Sequence, residues 1–139
     1  MATTTAAFTL TSTDLMDNAT SLSNTATLTT AGTTTGITET TGLARKKIAS
    51  SSLTDLITVA STDVTAAKSA KVYIKNTGTA TDKYALIGIG DSSGTPIYLG
   101  RLYGNDWMFF PWDANSGEDV TITMNDATET VIEYMVFFE

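Results

Sequence analysis

The chain has 139 residues, 42% hydrophobic and 17% charged, with a net charge of −7 and neither histidine nor cysteine. The missing imidazole and thiol exclude Ser–His and Cys–His nucleophile pairs, zinc sites of the usual nitrogen and sulfur type, and a disulfide framework. The acidic balance disfavours nucleic acid, no apolar run approaches the roughly 20 residues of a membrane helix, and no basic segment leads into an apolar one as in a secretory signal.

A length of this order implies one domain with an arm attached. The first forty residues hold no Lys or Arg and one aromatic, Phe8, and are rich in Thr, Ser and Ala. Thr is β-branched and suits a pleated surface half open to water. Ala6–Leu10 and Thr25–Thr30 alternate weakly and read as extended segments, with Phe8, Leu10, Ala26 and Leu28 as apolar points, and Leu15 and Leu22 are among the evenly spaced apolar residues that recur through the tract. This tract cannot bury enough apolar surface alone to offset its conformational entropy, so it needs a surface to lie on. The expected division is an extended Thr/Ser-rich arm over 1–52 and a β-sandwich body over 53–139.

Gly42–Ser50 carries the one dense basic cluster, Arg45, Lys46 and Lys47. Leu53–Ala60 is short, β-branched and flanked by Ser and Thr, and is assigned as a strand. Asp63–Ser69 has the capping residues of a single helical turn. From Ala70 the pattern is a succession of short strands separated by turn residues. These are Lys71–Asn76, Lys83–Gly90, Pro96–Tyr103, Trp107–Trp112, Val120–Met124 and Val131–Phe138. Such spacing marks an all-β fold, an antiparallel β-sandwich of jelly-roll or immunoglobulin type. The last strand is apolar on both faces apart from Glu133, which predicts a central strand, or an edge hidden by a partner.

Charge is uneven along the chain. Residues 1–42 carry three acids and no base, 43–83 carry seven bases against three acids, and 84–139 carry nine acids against one base. The segments thus differ as −3, +4 and −8, which suits pairing within the chain or between copies, or equally a scatter of solvated charges.

Candidate sites each have a structural reading. Trp107, Phe109, Phe110 and Trp112 could stack sugars or bases, and as structural residues they fill the core and a subunit contact. Asp113, Asn115, Gly117 and Asp119 have the alternating oxygens that calcium favours, yet Gly117 and Glu118 break the EF-hand pattern and a polar turn explains them. The pairs Asp91 with Asp106 and Glu129 with Glu133 could serve a glycosidase, and read as solvated acids. Gly88, Gly90 and Gly94 precede no helix and form no phosphate loop. Asn18-Ala19-Thr20 matches a glycosylation acceptor. No catalytic residue, metal or cofactor is expected.

Two stretches carry a family resemblance. Thr33–Lys47 (TTTGITETTGLARKK), taken with KVYIKNTGT, GRLYGNDWMFFPWDA and IEYMVFFE, resembles small virion structural proteins of tailed bacteriophages, particularly of T4-like marine cyanophages. The resemblance spans about Phe8 to Glu139. It implies a non-enzymatic particle component with a β-sandwich body, located in the virion, and it carries no functional residue over. The expected role is a capsid decoration or cement protein, whose arm runs as a ribbon over the major capsid protein or another virion protein. At about 3.3–3.6 Å per residue forty residues could cross a capsomer boundary. Phe8, Leu10, Leu15 and Leu22 would anchor it, with Arg45, Lys46 and Lys47 as charge contacts. A homo-oligomer is expected, with a trimer as the guess. The alternative is a neck- or tail-associated structural or carbohydrate-binding module.

Overall fold

The computed structural model describes residues 4–14, 19–29, 37, 39–49, 51–59, 69–114 and 118–138, with the side chains of Glu39, Ser69 and Phe138 left aside. The strands, in chain order, are β1 (Thr5–Ser12), β2 (Thr20–Thr27), β3 (Glu39–Thr40), β4 (Ala44–Ile48), β5 (Thr54–Ile57), β6 (Ser69–Asn76), β7 (Tyr84–Ile89), β8 (Ile97–Tyr103), β9 (Trp107–Asp113), β10 (Val120–Met124) and β11 (Thr130–Phe138). The chain divides into two compact units, residues 1–38 and 39–139.

In the second unit two antiparallel sheets pack as a sandwich. One has the order β5–β10–β7–β8, and the other β3–β11–β6–β9 with β4 also against β11. Because β3 and β4 lie along the same edge of β11, they act as one interrupted strand. Gly42, at φ +73°, and Thr41 make the break, with Val136 N–H donating to Thr41 Oγ1 at 3.1 Å. Counted that way, the strand order is that of a jelly roll, one of the two sandwich types expected. The final strand is central, between β6 and β3/β4, as its two-faced apolar pattern predicts.

Alternation builds the core. Val72, Ile74, Ala85, Ile87, Val120, Ile122, Ile132 and Val136 are all fully buried and come from both sheets. Tyr73, Lys75 and Glu133, one position out of phase, point to the outer face, as the two-residue period of a strand demands. One strand departs from its pattern. Leu99 is an extra residue in β8, since Gly100 pairs with Ile87 and Tyr98 with Gly88. The bulge shifts the phase, so that Leu102 is buried while Ile97, Tyr98 and Leu99 are all exposed. Alternation over the whole strand, with Leu99 and Arg101 on one face, is therefore broken at this point.

The domain boundary falls earlier than the composition implies. Arg45, Lys46 and Lys47 lie in β4, paired with Glu133, Ile132 and Val131 of the sandwich. The reason is that Ile48 supplies a core side chain and the neighbouring bases find acids on β11 and its preceding turn. The helical turn expected at 63–69 falls almost wholly outside the described residues, and Ser69 already belongs to β6.

The corner between β8 and β9 is pinned by Asn76 at the end of β6. Its side chain is buried, its Nδ2 donates to Leu102 O at 2.9 Å, and its Oδ1 accepts from Gly78 N–H at 2.9 Å. Its backbone N–H donates to Asp106 O and its carbonyl accepts from Asn105 N–H, both at 3.0 Å. At Gly104 a Cβ would stand 2.6 Å from Ala80 O and 2.8 Å from Thr79 C, so only glycine lets the corner pass.

The first unit is extended backbone folded on itself. β1 and β2 form an antiparallel hairpin, from Thr5 opposite Thr27 to Ser12 opposite Thr20. The two segments lie side by side, so eight paired residues span about 27 Å at about 3.4 Å each, far less than a single ribbon of forty residues. Leu28 N–H donates to Thr4 O, Ile37 N–H donates to Leu28 O, and Leu28 and Ile37 are both buried.

Replacing Asn76 with Ala is expected to destabilise the sandwich by about 1–3 kcal/mol for each buried group left unpaired. Gly104→Ala should lower the denaturation midpoint as well, since backbone must move. Thr121→Val should not, because Thr121 Oγ1 is buried without a hydrogen-bond partner. Urea unfolding followed by tryptophan fluorescence checks all three.

Candidate functional site

Two surfaces stand out, one on each unit. On the hairpin, cross-strand partners share a face. Ala6 lies opposite Ala26, Phe8 opposite Asn24 and Leu10 opposite Leu22. One face therefore carries Ala6, Phe8, Leu10, Leu22 and Ala26 together with Asn24 and the terminal pair Ser12 and Thr20, and Phe8, Leu10 and Leu22 are each about half exposed. The other face carries Thr5, Ala7, Thr9, Thr11, Ser21, Ser23, Thr25 and Thr27. The sequence thus gives a ribbon with one greasy and one hydroxylated side. Leu15, the fourth expected anchor, lies outside the described residues, as do Asn18, Asn115 and Gly117.

On the sandwich, β9 is the outer strand of its sheet and pairs with β6 from Trp107 opposite Lys75 to Asp113 opposite Ser69. This register sorts the aromatic run. Met108, Phe110 and Trp112 face the core with Ile74, Val72 and Ala70, while Trp107, Phe109 and Pro111 face outward with Lys75, Tyr73 and Lys71. Trp112 is 3% exposed and its indole N–H donates to Glu118 O at 2.9 Å. Trp107 is 52% exposed. The Phe109 ring meets the Phe137 ring edge-on at 6.1 Å, reaching over β6. The four aromatics singled out from sequence thus divide between packing and surface: Phe110 and Trp112 inside, Trp107 and Phe109 outside.

Sequence reasoning missed the partners of the outward pair, Tyr73, Met135 and Phe137, which share the outer face of β6 and β11. The signal available was the second phase of the last strand. Burial first, and the Glu133 carboxylate second, raise the Tyr73 phenol above its ordinary range. Glu133 is held by Arg45, whose Nη2 and Nε both lie 2.9 Å from Glu133 Oε2. Lys47 Nζ lies 2.7 Å from Glu129 Oε1, with both groups exposed, so solvent screens the pairing. Lys46 instead reaches across to β5, donating to Asp55 O at 2.8 Å. The three bases thus lie in the sandwich unit and not in the hairpin unit, with Arg45 and Lys47 still largely exposed.

Three of the acids weighed for a glycosidase pair or a calcium loop take part in backbone hydrogen bonds. Asp91 accepts from Ser93 N–H at 2.6 Å, Asp106 accepts from Tyr103 N–H at 2.9 Å, and Asp119 accepts from Val59 N–H at 2.9 Å. Among the described residues no three Asp or Glu side chains gather to hold a metal ion. What the arrangement offers is contact area: a neutral apolar ribbon on one unit, and exposed aliphatic and aromatic side chains on the other. No protein-family model, curated protein or solved structure matches the chain.

The two tryptophans should separate cleanly by mutation. Trp112→Ala is expected to cost about 3–5 kcal/mol of stability, and Trp107→Ala less than about 1 kcal/mol, by urea denaturation. Iodide should quench the Trp107 emission and leave that of Trp112. Above pH 10 the raised Tyr73 pKa works against the fold. The folded state holds the proton more tightly, so its stabilisation is present below the ordinary tyrosine pKa and is lost as pH rises through the folded one. Tyr73→Phe should flatten that alkaline loss.

Proposed function

We propose that the chain is a non-enzymatic structural protein of a phage virion, a capsid decoration or cement protein that grips neighbouring subunits through its N-terminal hairpin. The observation that carries this reading is the hairpin's uncovered apolar face, Phe8, Leu10 and Leu22, on a unit separate from the sandwich. An isolated two-stranded hairpin is marginal in water, and one that exposes its apolar side gains most of its stability by docking. The jelly-roll body suits such a role, because capsid components recur on this fold, although lectins do too and fold alone does not assign function. The resemblance of the Thr33–Lys47, Trp107-centred and C-terminal stretches to tailed-phage virion proteins points the same way. The mechanism is adhesive: many weak contacts spread over a capsid surface oppose outward pressure.

The exposed Trp107 indole favours a second reading, a tail- or neck-associated module that stacks a carbohydrate. Glycan-array binding lost in Trp107→Ala, with folding intact, would select it over capsid decoration.

The decisive variant is the triple substitution Phe8→Ser, Leu10→Ser and Leu22→Ser in the full chain. Each half-exposed side chain has roughly 1 kcal/mol left to gain on full burial. Together they amount to about 3 kcal/mol, or about a hundredfold in affinity. The variant should keep the denaturation midpoint of the sandwich and lose that much affinity for particles assembled without the protein, read by co-sedimentation. Unchanged saturation of the particles would overturn the reading.

A further inference from the structure

We propose that the outer face of β9 and β6 binds an anionic sugar, with the Trp107 indole stacked on the sugar ring and the Lys75 ammonium paired with an acidic group that the ring carries. The inference rests on the carbohydrate reading of Trp107 and deepens it by naming the class of sugar.

The register sets four side chains in one row across the sheet. Trp107 of β9 lies opposite Lys75 of β6, Lys75 opposite Glu133 of β11, and Glu133 opposite Arg45 of β4. Direct cross-strand partners stand about 4.5–5.5 Å apart at Cβ, so the indole and the ammonium can serve one small ligand. Arg45 holds the Glu133 carboxylate from the side away from Lys75, with Nη2 and Nε both 2.9 Å from Oε2. Lys47 is paired with Glu129, and Lys71 is engaged as well. Among the described residues the Lys75 ammonium has no ion pair, hydrogen bond or ring contact, and the Trp107 indole N–H has no acceptor. The buried Trp112, by contrast, donates its indole N–H to Glu118 O. The row thus ends in an exposed aromatic face with two uncommitted donors beside it.

Charge selects an anion for this face. Arg45, Lys47, Lys71 and Lys75 lie on its outward phase against Glu133 and Asp113, which is four of the chain's eight bases and two of its fifteen acids. On a chain of −7 this is where an anion approaches at least cost. The exposure pattern selects a small ligand with a flat face. Among the described residues Trp107 is the one large apolar side chain of this face that is exposed, at 52%, while Phe109, Tyr73, Met135 and Phe137 are only partly so. That is too little for a standard protein interface of about 800 Å² per partner, and enough for one sugar ring, whose C–H groups present a flat apolar side to an indole. A nucleic acid would bring a charge with every nucleotide, to be met by one uncommitted ammonium and opposed by the surplus acid elsewhere.

Titration of the full chain by calorimetry tests this with two acidic series, hexuronate oligosaccharides and sulfated galactan oligosaccharides. Each is run beside its neutral counterpart, the methyl ester or the desulfated chain. One acidic series should bind at least about fivefold more tightly than its counterpart, the size of a part-exposed ion pair, and which series does so identifies the anion. Lys75→Gln should keep the urea midpoint and remove that preference, and Lys75→Arg should retain it. Trp107→Ala should weaken acidic and neutral chains alike by at least about tenfold. Neutral chains bound as tightly as acidic ones, or a preference unchanged in Lys75→Gln, overturn the inference and leave the carbohydrate reading of Trp107 standing. No binding to any of the four ligands overturns both. Oligothymidylate bound more tightly than every oligosaccharide would assign the face to nucleic acid and overturn both as well.

Discussion

The buried amide of Asn76 is the interaction on which the arrangement of the sandwich's surface depends. Strand β8 belongs to one sheet and β9 to the other, and the corner between them crosses the thickness of the core. Three hydrogen bonds from one residue hold that corner to the end of β6, and a fourth, from Gly78 N–H, fixes the Asn76 amide itself. Because Asn76 is buried, each of its polar groups must be paired inside the protein or be left at the cost of its lost hydration. The corner then sets the register of β9 on β6. Ile74 opposite Met108 and Tyr73 opposite Phe109 follow from it, and with them the choice of which aromatics are packed and which are displayed. A slip of one residue would send Trp107 inward and Trp112 outward.

The two units face the physical problem of folding differently. The sandwich buries a contiguous core drawn from both sheets. The hairpin pairs its backbone, yet leaves the large side chains of β1 and β2 open to water, while Leu28 and Ile37 are buried just beyond them. Its hydroxyl-rich side is well suited to solvent, and its apolar side has the character of a surface waiting for a partner. The adhesive role proposed for it follows from this asymmetry more than from any single residue.

Charge is arranged with a similar asymmetry within the sandwich. The β4 bases are satisfied at home, by Glu133, by Glu129 and by a carbonyl of β5. The β8 edge, by contrast, carries neutral apolar side chains in succession.

Strand identity in the body was legible because it rests on a local rule. Alternation in Lys71–Asn76, Lys83–Gly90 and Val120–Met124 reflects which face is buried, and burial is decided residue by residue. The two-faced character of Val131–Phe138 likewise announced a central strand. Composition alone separated a Thr-rich arm from an aromatic-rich body, because large apolar side chains are what a core requires. Tertiary structure decided the rest. Arg45–Lys47 reads as part of an arm until β11 lies beside it, since the acids that pair with Arg45 and Lys47 are more than eighty residues away in sequence. Nothing local in Ile97–Leu99 reveals that a bulge opposite Gly88 turns all three residues outward. The pairing of β1 with β2 depends on two weakly alternating segments meeting, and neither specifies the other. The amino-acid order determined which residues could be buried; only the assembled sheets determined which of them were.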